Sequence, residues 1–224
     1  GVEIENNLFQ ECMSSEQSVA QRHMFFSERA CSKVPGLDPS IKPLDIIKVG
    51  VVGGGTMGGG IAMNFANAGI PTVLKELDQA SLDKGLDIIE RNYQNTVSKG
   101  RLSEAQKTKC MSMITGTTSY NDLSDCDLIV EAVFENLELK KTIFSELDSI
   151  AKGTCILASN TSTLDIDEIA GCTRRPENVM GWHFFAPANV MTLLELVRGK
   201  ETSDTIIATA MSLAKKIKKT PVLV

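Results

Sequence analysis

The stretch Val49-Gly-Val-Val-Gly-Gly-Gly-Thr-Met-Gly-Gly-Gly60 limits what this chain can fold into more than any other. Val49 to Val52 is a short apolar run suited to a buried strand, and it breaks at Gly53. An apolar helical pattern follows from about Met57. Gly53, Gly55 and Gly58 stand on G-x-G-x-x-G spacing. In that pattern the first glycine makes the turn out of the strand, and the second lets backbone approach a pyrophosphate. The third lets the helix pack closely on the sheet. The free N–H groups of the helix start then face the anion. A flexible loop is the competing reading of so many glycines. The flanking strand and helix, with an acid about twenty residues on, favour a dinucleotide site.

From Lys48 onward the pattern alternates strand and helix: strand 48–52, helix 57–68 closed by Gly69, and strand 71–76. That second strand ends in Glu76, 23 residues after Gly53, where a carboxylate meets the adenosine ribose and would repel a 2′-phosphate. NAD is therefore expected rather than NADP. Strand alternation turns Lys75 away from Glu76. Residues 78–112 read as a helical hairpin inserted between strands, with Leu82, Leu86, Ile89 and Tyr93 on one stripe. Its Lys84, Lys99, Arg101 and Lys107 form either a solvated face or a contact for an anionic substrate. Strands follow at 113–118, 127–133, 155–159, 179–184 and 192–198, with helices at 137–151, 165–170 and 203–218. Lys215, Lys216, Lys218 and Lys219 suit a helix C-terminus. A last strand begins at Pro221 and stops at Val224, which reads as a truncation. The expected fold is α/β: a Rossmann-type, doubly wound, mostly parallel sheet of about eight strands.

Residues 1–45 read as a separate linker, and 46–224 as the nucleotide domain. Phe9, Met13, Ala20, Met24, Ser27 and Cys31 lie near helical spacing, as one amphipathic helix or one broken once. Three prolines between Val34 and Pro43 make a strap. The start is polar and acidic, without an initiator Met, and reads as a processed or excised piece rather than a secretory signal. A net charge of −5 gives no nucleic-acid surface, and no apolar run has the length of a membrane span. The six cysteines, with no C-x-x-C pair, read as free thiols, and no metal site is expected.

Three further polar groups fall at or near predicted strand ends: Ser162, His183 and Glu195. Their types fit alcohol oxidation. A neutral imidazole takes the hydroxyl proton as hydride leaves, a carboxylate on the other ring nitrogen fixes the tautomer, and a serine holds the substrate oxygen. The rival reading is a structural His183 buried between Trp182 and Phe184. Glu131, inside a strongly apolar strand, must be paired or face a site. His23, the other histidine, reads as a surface residue.

Four segments resemble the 3-hydroxyacyl-CoA dehydrogenase family: G-G-G-T-M-G at 53–58, D-L-I-V-E-A-V-F-E-N at 127–136, S-N-T-S-T at 159–163 and G-W-H-F-F-A-P at 181–187. The resemblance implies NAD-dependent oxidation of (3S)-3-hydroxyacyl-CoA to 3-oxoacyl-CoA. It implies His183 as catalytic base, Glu195 as its partner and Ser162 as a substrate-oxygen contact beside the nicotinamide. Gly53, Gly55, Thr56, Met57, Gly58, Glu76, Glu135, Lys140 and Ser162 would line the cofactor, and Lys99 would contact CoA. Ala186 departs from the family, which has Asn there in many members. The family's catalytic Asn and its C-terminal helical domain are expected beyond Val224. Residues 1–45 resemble the segment that joins the enoyl-CoA hydratase half to the dehydrogenase half in multifunctional β-oxidation enzymes, and the H-F-F-A-P-A-N-V-M stretch at 183–191 is most similar to the peroxisomal type. Mitochondrion and bacterial cytoplasm are the alternative locations. A non-catalytic NAD-binding scaffold on the same fold is the alternative function. A β-hydroxyacid dehydrogenase with a lysine base is disfavoured by H-F-F and Glu195.

Overall fold

A computed structural model describes residues 1–224, which divide into two compact units, Gly1–Gly36 and Leu37–Val224. The first unit is two helices, α1 (Val2–Ser14) and α2 (Glu16–Cys31). The break falls at Ser15, whose extended backbone stops α1 and whose hydroxyl accepts from the Ser18 N–H to cap α2. The apolar stripe is helical but uncovered: neither helix has a buried residue, and Phe9, Met13 and Met24 are exposed. His23 is exposed as expected.

The second unit begins within the strap, and the residues just after the strap are tied down by their own backbone. Leu44 N–H donates to Thr209 Oγ1 at 2.9 Å, and the Ile47 and Lys48 N–H groups donate to Asp127 Oδ2 at 2.8 and 2.9 Å. The chain then runs β1 (Val49–Val52), α3 (Thr56–Asn67), β2 (Thr72–Lys75), α4 (Gln79–Ser98), α5 (Glu104–Ser112) and β3 (Ile114–Thr117). It continues β4 (Leu128–Glu131), α6 (Leu137–Ile150), β5 (Ile156–Ser159), α7 (Ile166–Ala170), β6 (Val179–Phe184), β7 (Leu193–Val197), α8 (Asp204–Lys216) and β8 (Thr220–Leu223). Gly69, with φ of +74°, follows α3 as expected. The α4–α5 hairpin opens each helix on a side-chain cap, Asp78 for α4 and a Ser103–Gln106 capping box for α5. Its Lys107 is spent inside the hairpin, 3.2 Å from Glu90 and 2.6 Å from Gln94.

All eight strands join one sheet in the order β3-β2-β1-β4-β5-β6-β7-β8. The strands from β3 to β6 are parallel neighbours. β1, β4 and β5 are buried at every residue, as expected for strands covered on both faces. Strand order reverses between β1 and β4, which opens the ligand crevice at the carboxyl ends of those strands. β7 runs antiparallel to β6. The reason is length: residues 185–192 link the two strands without a helix, too few for a parallel crossover of about a dozen residues or more. The cations at the end of α8 divide. Lys215 and Lys216 lie in its last turn, but Lys219 is buried and belongs to the interior.

Candidate active site

At the carboxyl end of β1 each glycine of the loop has a separate physical role. Gly53 has φ of +95°, and a Cβ there would sit 2.9 Å from the Ala132 carbonyl oxygen on the neighbouring strand's exit. At Gly58 a Cβ would overlap the Gly53 carbonyl oxygen at 1.7 Å, so α3 meets the loop at a distance only glycine permits. Gly55, the N-cap of α3, has nothing within 4 Å of its Cβ direction and opens outward with exposed Thr56 and half-buried Met57. Glu76, one residue past β2, reaches back to this loop. Its Oε1 accepts from the Gly54 N–H at 2.5 Å, and its Oε2 from the Leu77 N–H at 3.0 Å. Lys75 points the other way, its ammonium 3.6 Å from the centre of the Tyr120 ring, and burial lowers its pKa. A glycine-walled opening at a helix start, with a carboxylate beside it, fits a dinucleotide's pyrophosphate and ribose.

At the ends of β4 and β5 lies a chain of charges. Glu131 is fully buried as the last residue of β4, directly opposite Ser159 in the sheet register. Its Oε1 accepts from Lys140 Nζ and from the Val133 N–H, each at 2.7 Å, and its Oε2 accepts from Ser159 Oγ at 2.7 Å. The paired ammonium and two further donors are what make a carboxylate tolerable there. Lys140 also stands 3.5 Å from Glu135 Oε2. Lys140 is fully buried, drawn by both carboxylates beneath the surface of the site. Its influence passes through Glu135.

Glu135 organises the turn after β5. Its Oε1 accepts from Thr161 Oγ1 at 2.5 Å, from the Ser162 N–H at 3.0 Å and from Ser162 Oγ at 3.3 Å. Burial works to raise the Glu135 pKa, but the hydrogen bonds from Thr161 and Ser162 outweigh it and hold the carboxyl below its ordinary range. Ser162 is exposed on this turn, held by Glu135 and not bonded to His183. Asn160 joins the turn to the next strand by accepting from the Phe184 N–H at 2.8 Å. The sequence marks Asn160 and Thr161 as part of a polar turn but assigns them no separate role. Their signal was positional: short polar residues directly after a buried strand offer such local bonds.

His183 and Glu195 come together through sheet register. They are partners across the antiparallel β6–β7 pair, so their side chains share a face. His183 Nδ1 lies 2.8 Å from Glu195 Oε2. An ionised carboxylate can only accept, so Nδ1 carries a proton, and in the neutral imidazole Nε2 then keeps its lone pair. Alternation sends Trp182 and Phe184 to the other, buried face, where Trp182 packs between Phe65 and Phe184. His183 itself is partly exposed, its ring 4.6 Å from that of Phe185. His183 therefore faces the opposite side of the sheet from Trp182 and Phe184. Lys99 stays apart from all these groups, as the exposed C-cap of α4. Exposed Ala186 precedes Pro187 in the β6–β7 loop.

A doubly wound sheet with a glycine-loop crevice and a histidine–carboxylate pair at the same strand ends defines a dinucleotide-dependent α/β domain. Residues 48–224 match the family described as 3-hydroxyacyl-CoA dehydrogenase, NAD binding domain, and the chain belongs to that family. NAD is accordingly its cofactor. The chain is 43% identical over its whole length to a peroxisomal fatty acid beta-oxidation multifunctional protein of Arabidopsis thaliana, of which it covers 31%. It is 43% identical to a 3-hydroxybutyryl-CoA dehydrogenase of Clostridioides difficile, across 79% of this chain and 63% of that one. Among solved structures it resembles the dehydrogenase part of multifunctional enzyme 1 from C. elegans (TM-score 0.78, 38% identity, 89% of this chain and 47% of that one). The (S)-3-hydroxybutyryl-CoA dehydrogenase of Ralstonia eutropha is similarly related (TM-score 0.79, 40% identity, 80% and 64%). The chain spans about a third of the length of the multifunctional relatives that it matches.

Proposed function

We propose that this chain carries out the hydride-transfer step of NAD-dependent oxidation of (3S)-3-hydroxyacyl-CoA to 3-oxoacyl-CoA, as part of a multifunctional β-oxidation enzyme. The observation that carries the reading is the 2.8 Å contact of His183 Nδ1 with Glu195 at the strand edge that bears the glycine loop. Nε2 of His183 takes the proton from the substrate hydroxyl, while Glu195 stabilises the imidazolium that results. NAD, when bound, supplies the hydride acceptor. Ser162 holds the substrate oxygen, and Glu135 with buried Lys140 beneath it keeps the Ser162 turn in place. Gly53, Gly55, Thr56, Met57 and Gly58 take the pyrophosphate, and Glu76 the ribose. In the reverse direction the protonated His183 returns the proton.

In this reading residues 1–45 are a linker helix and strap, residues 46–224 are the NAD domain, and Lys99 meets the CoA moiety. Relatives such as the peroxisomal Arabidopsis protein support peroxisomal residence. Glu195→Gln tests the pair directly. The expected outcome in the intact protein is a fall of roughly 10–100-fold in kcat for acetoacetyl-CoA reduction with NADH affinity kept. Unchanged kcat would remove Glu195 from the mechanism, whereas NADH binding without any turnover in the intact wild-type protein would make an NAD-binding scaffold the better description.

A further inference from the structure

The His183–Glu195 register depends on the loop between β6 and β7, and that loop is held from below by an unusual group. Lys219, just past α8, is 7% exposed and turns its ammonium inward. Its Nζ donates to the carbonyl oxygens of Ala188 and Met191, each at 2.6 Å, and stands 6.0 Å from the centre of the Phe184 ring. No carboxylate pairs with it, and burial lowers its pKa. Removing an ammonium from water for two neutral carbonyls is costly, and an apolar side chain of similar length would avoid that cost.

The same Ala188 carbonyl is held from a second side. Asn64, buried on α3, donates its Nδ2 to Ala188 O at 3.0 Å. One turn earlier, Gly60 lets α3 approach so closely that a Cβ there would lie 3.0 Å from Ala188 Cβ and 3.1 Å from the Asn189 nitrogen. α3 is the helix whose first turn borders the glycine loop. One carbonyl thus links the helix that faces the pyrophosphate to the hairpin that carries the histidine.

We propose that Lys219 and Asn64 are positioning residues that clamp the Ala188 carbonyl and so fix the His183–Glu195 pair relative to the cofactor helix. The proposal rests on the reading of His183 as the proton acceptor. A purely structural lysine would stabilise the fold without governing the pair; a clamp would govern the pair even in a protein that stays folded.

The test is Lys219→Met in the intact protein, a change that keeps length and removes the cation. Three quantities are measured: kcat with acetoacetyl-CoA and NADH, the NADH dissociation constant, and the NMR signal of the His183 Nδ1 proton without substrate. The expected result is a loss of roughly 10–100-fold in kcat, as for a misplaced catalytic group, with NADH affinity retained. The Nδ1 proton signal should weaken or shift as the Glu195 bond loosens. A lowered Tm with kcat and the Nδ1 signal both unchanged would overturn the proposal. Should Lys219→Met fail to fold, Asn64→Ala removes one donor from the same carbonyl. Wild-type kcat and Nδ1 signal in that variant would overturn the proposal equally. If His183→Gln itself leaves turnover intact, the functional reading fails, and the Nδ1 signal still decides whether the clamp acts on the pair.

Discussion

Gly55 and Gly58 are three positions apart, yet substitution should affect them differently. Gly58→Ala drives a methyl into the Gly53 carbonyl, so α3 or the loop must move. A cost of roughly 1–3 kcal/mol in stability is expected, with NADH binding weakened together with it. Gly55→Ala meets no protein atom and should leave the Tm unchanged while obstructing the pyrophosphate. Thermal unfolding and NADH titration on both variants separate the two. Equal losses of stability would contradict the distinction. Lys140→Met leaves Glu131 buried without its cation and should cost about 3–5 kcal/mol in denaturant unfolding. The double variant with Glu131→Gln should recover part of that. The glycine roles were readable because they are local: the spacing, set between a strand and a helix, suggests them. Lys140 and Lys219 were not, because their burial depends on carboxylates and carbonyls far away in sequence. Glu131 gave a partial signal, since a carboxylate inside an apolar strand requires a partner that the sequence does not name.

Among the elements, strands and helices were legible from apolar runs, glycine stops and serine or aspartate caps, and most boundaries fall within two residues of expectation. The antiparallel turn of β7 was not read, although the short link from β6 forbids a parallel crossover. That turn matters most for the site, since it sets His183 opposite Glu195. The connection from α6 to β6 shows a different kind of support. Asp148 on α6 receives Arg174 Nε at 2.7 Å and Arg175 Nε at 2.6 Å. Burial pushes the Asp148 pKa upward, but the two arginines prevail and hold it below its ordinary value. A carboxyl with a depressed folded pKa contributes stability above its unfolded pKa of about 3.9, and that contribution is lost as pH falls through the folded value. Asp148→Asn should therefore be less stable at neutral pH and show a flatter decline in Tm below about pH 4. Parallel Tm profiles for the two proteins would contradict this role.

For the whole molecule, the sheet gathers distant segments at one edge. The glycine loop follows β1, Glu76 follows β2, the Glu131–Lys140–Glu135 chain lies at the end of β4, Ser162 follows β5, and His183 is one residue from the end of β6. No helix in the structure is long and apolar enough to cross a membrane. The uncovered apolar side chains of α1 and α2 are the part of the chain to which this architecture assigns no task. The proposed reaction class needed motif resemblance as well as residue types, because His183 and Glu195 meet through sheet register rather than through spacing, while Ser162 lies on a separate turn. The most direct test is the rate of acetoacetyl-CoA-dependent NADH oxidation by the intact His183→Gln protein, with NADH binding measured alongside. A fall of roughly 10²–10⁴-fold in kcat with NADH affinity preserved is the predicted result. Wild-type turnover in that variant would contradict the assignment of His183 as the base.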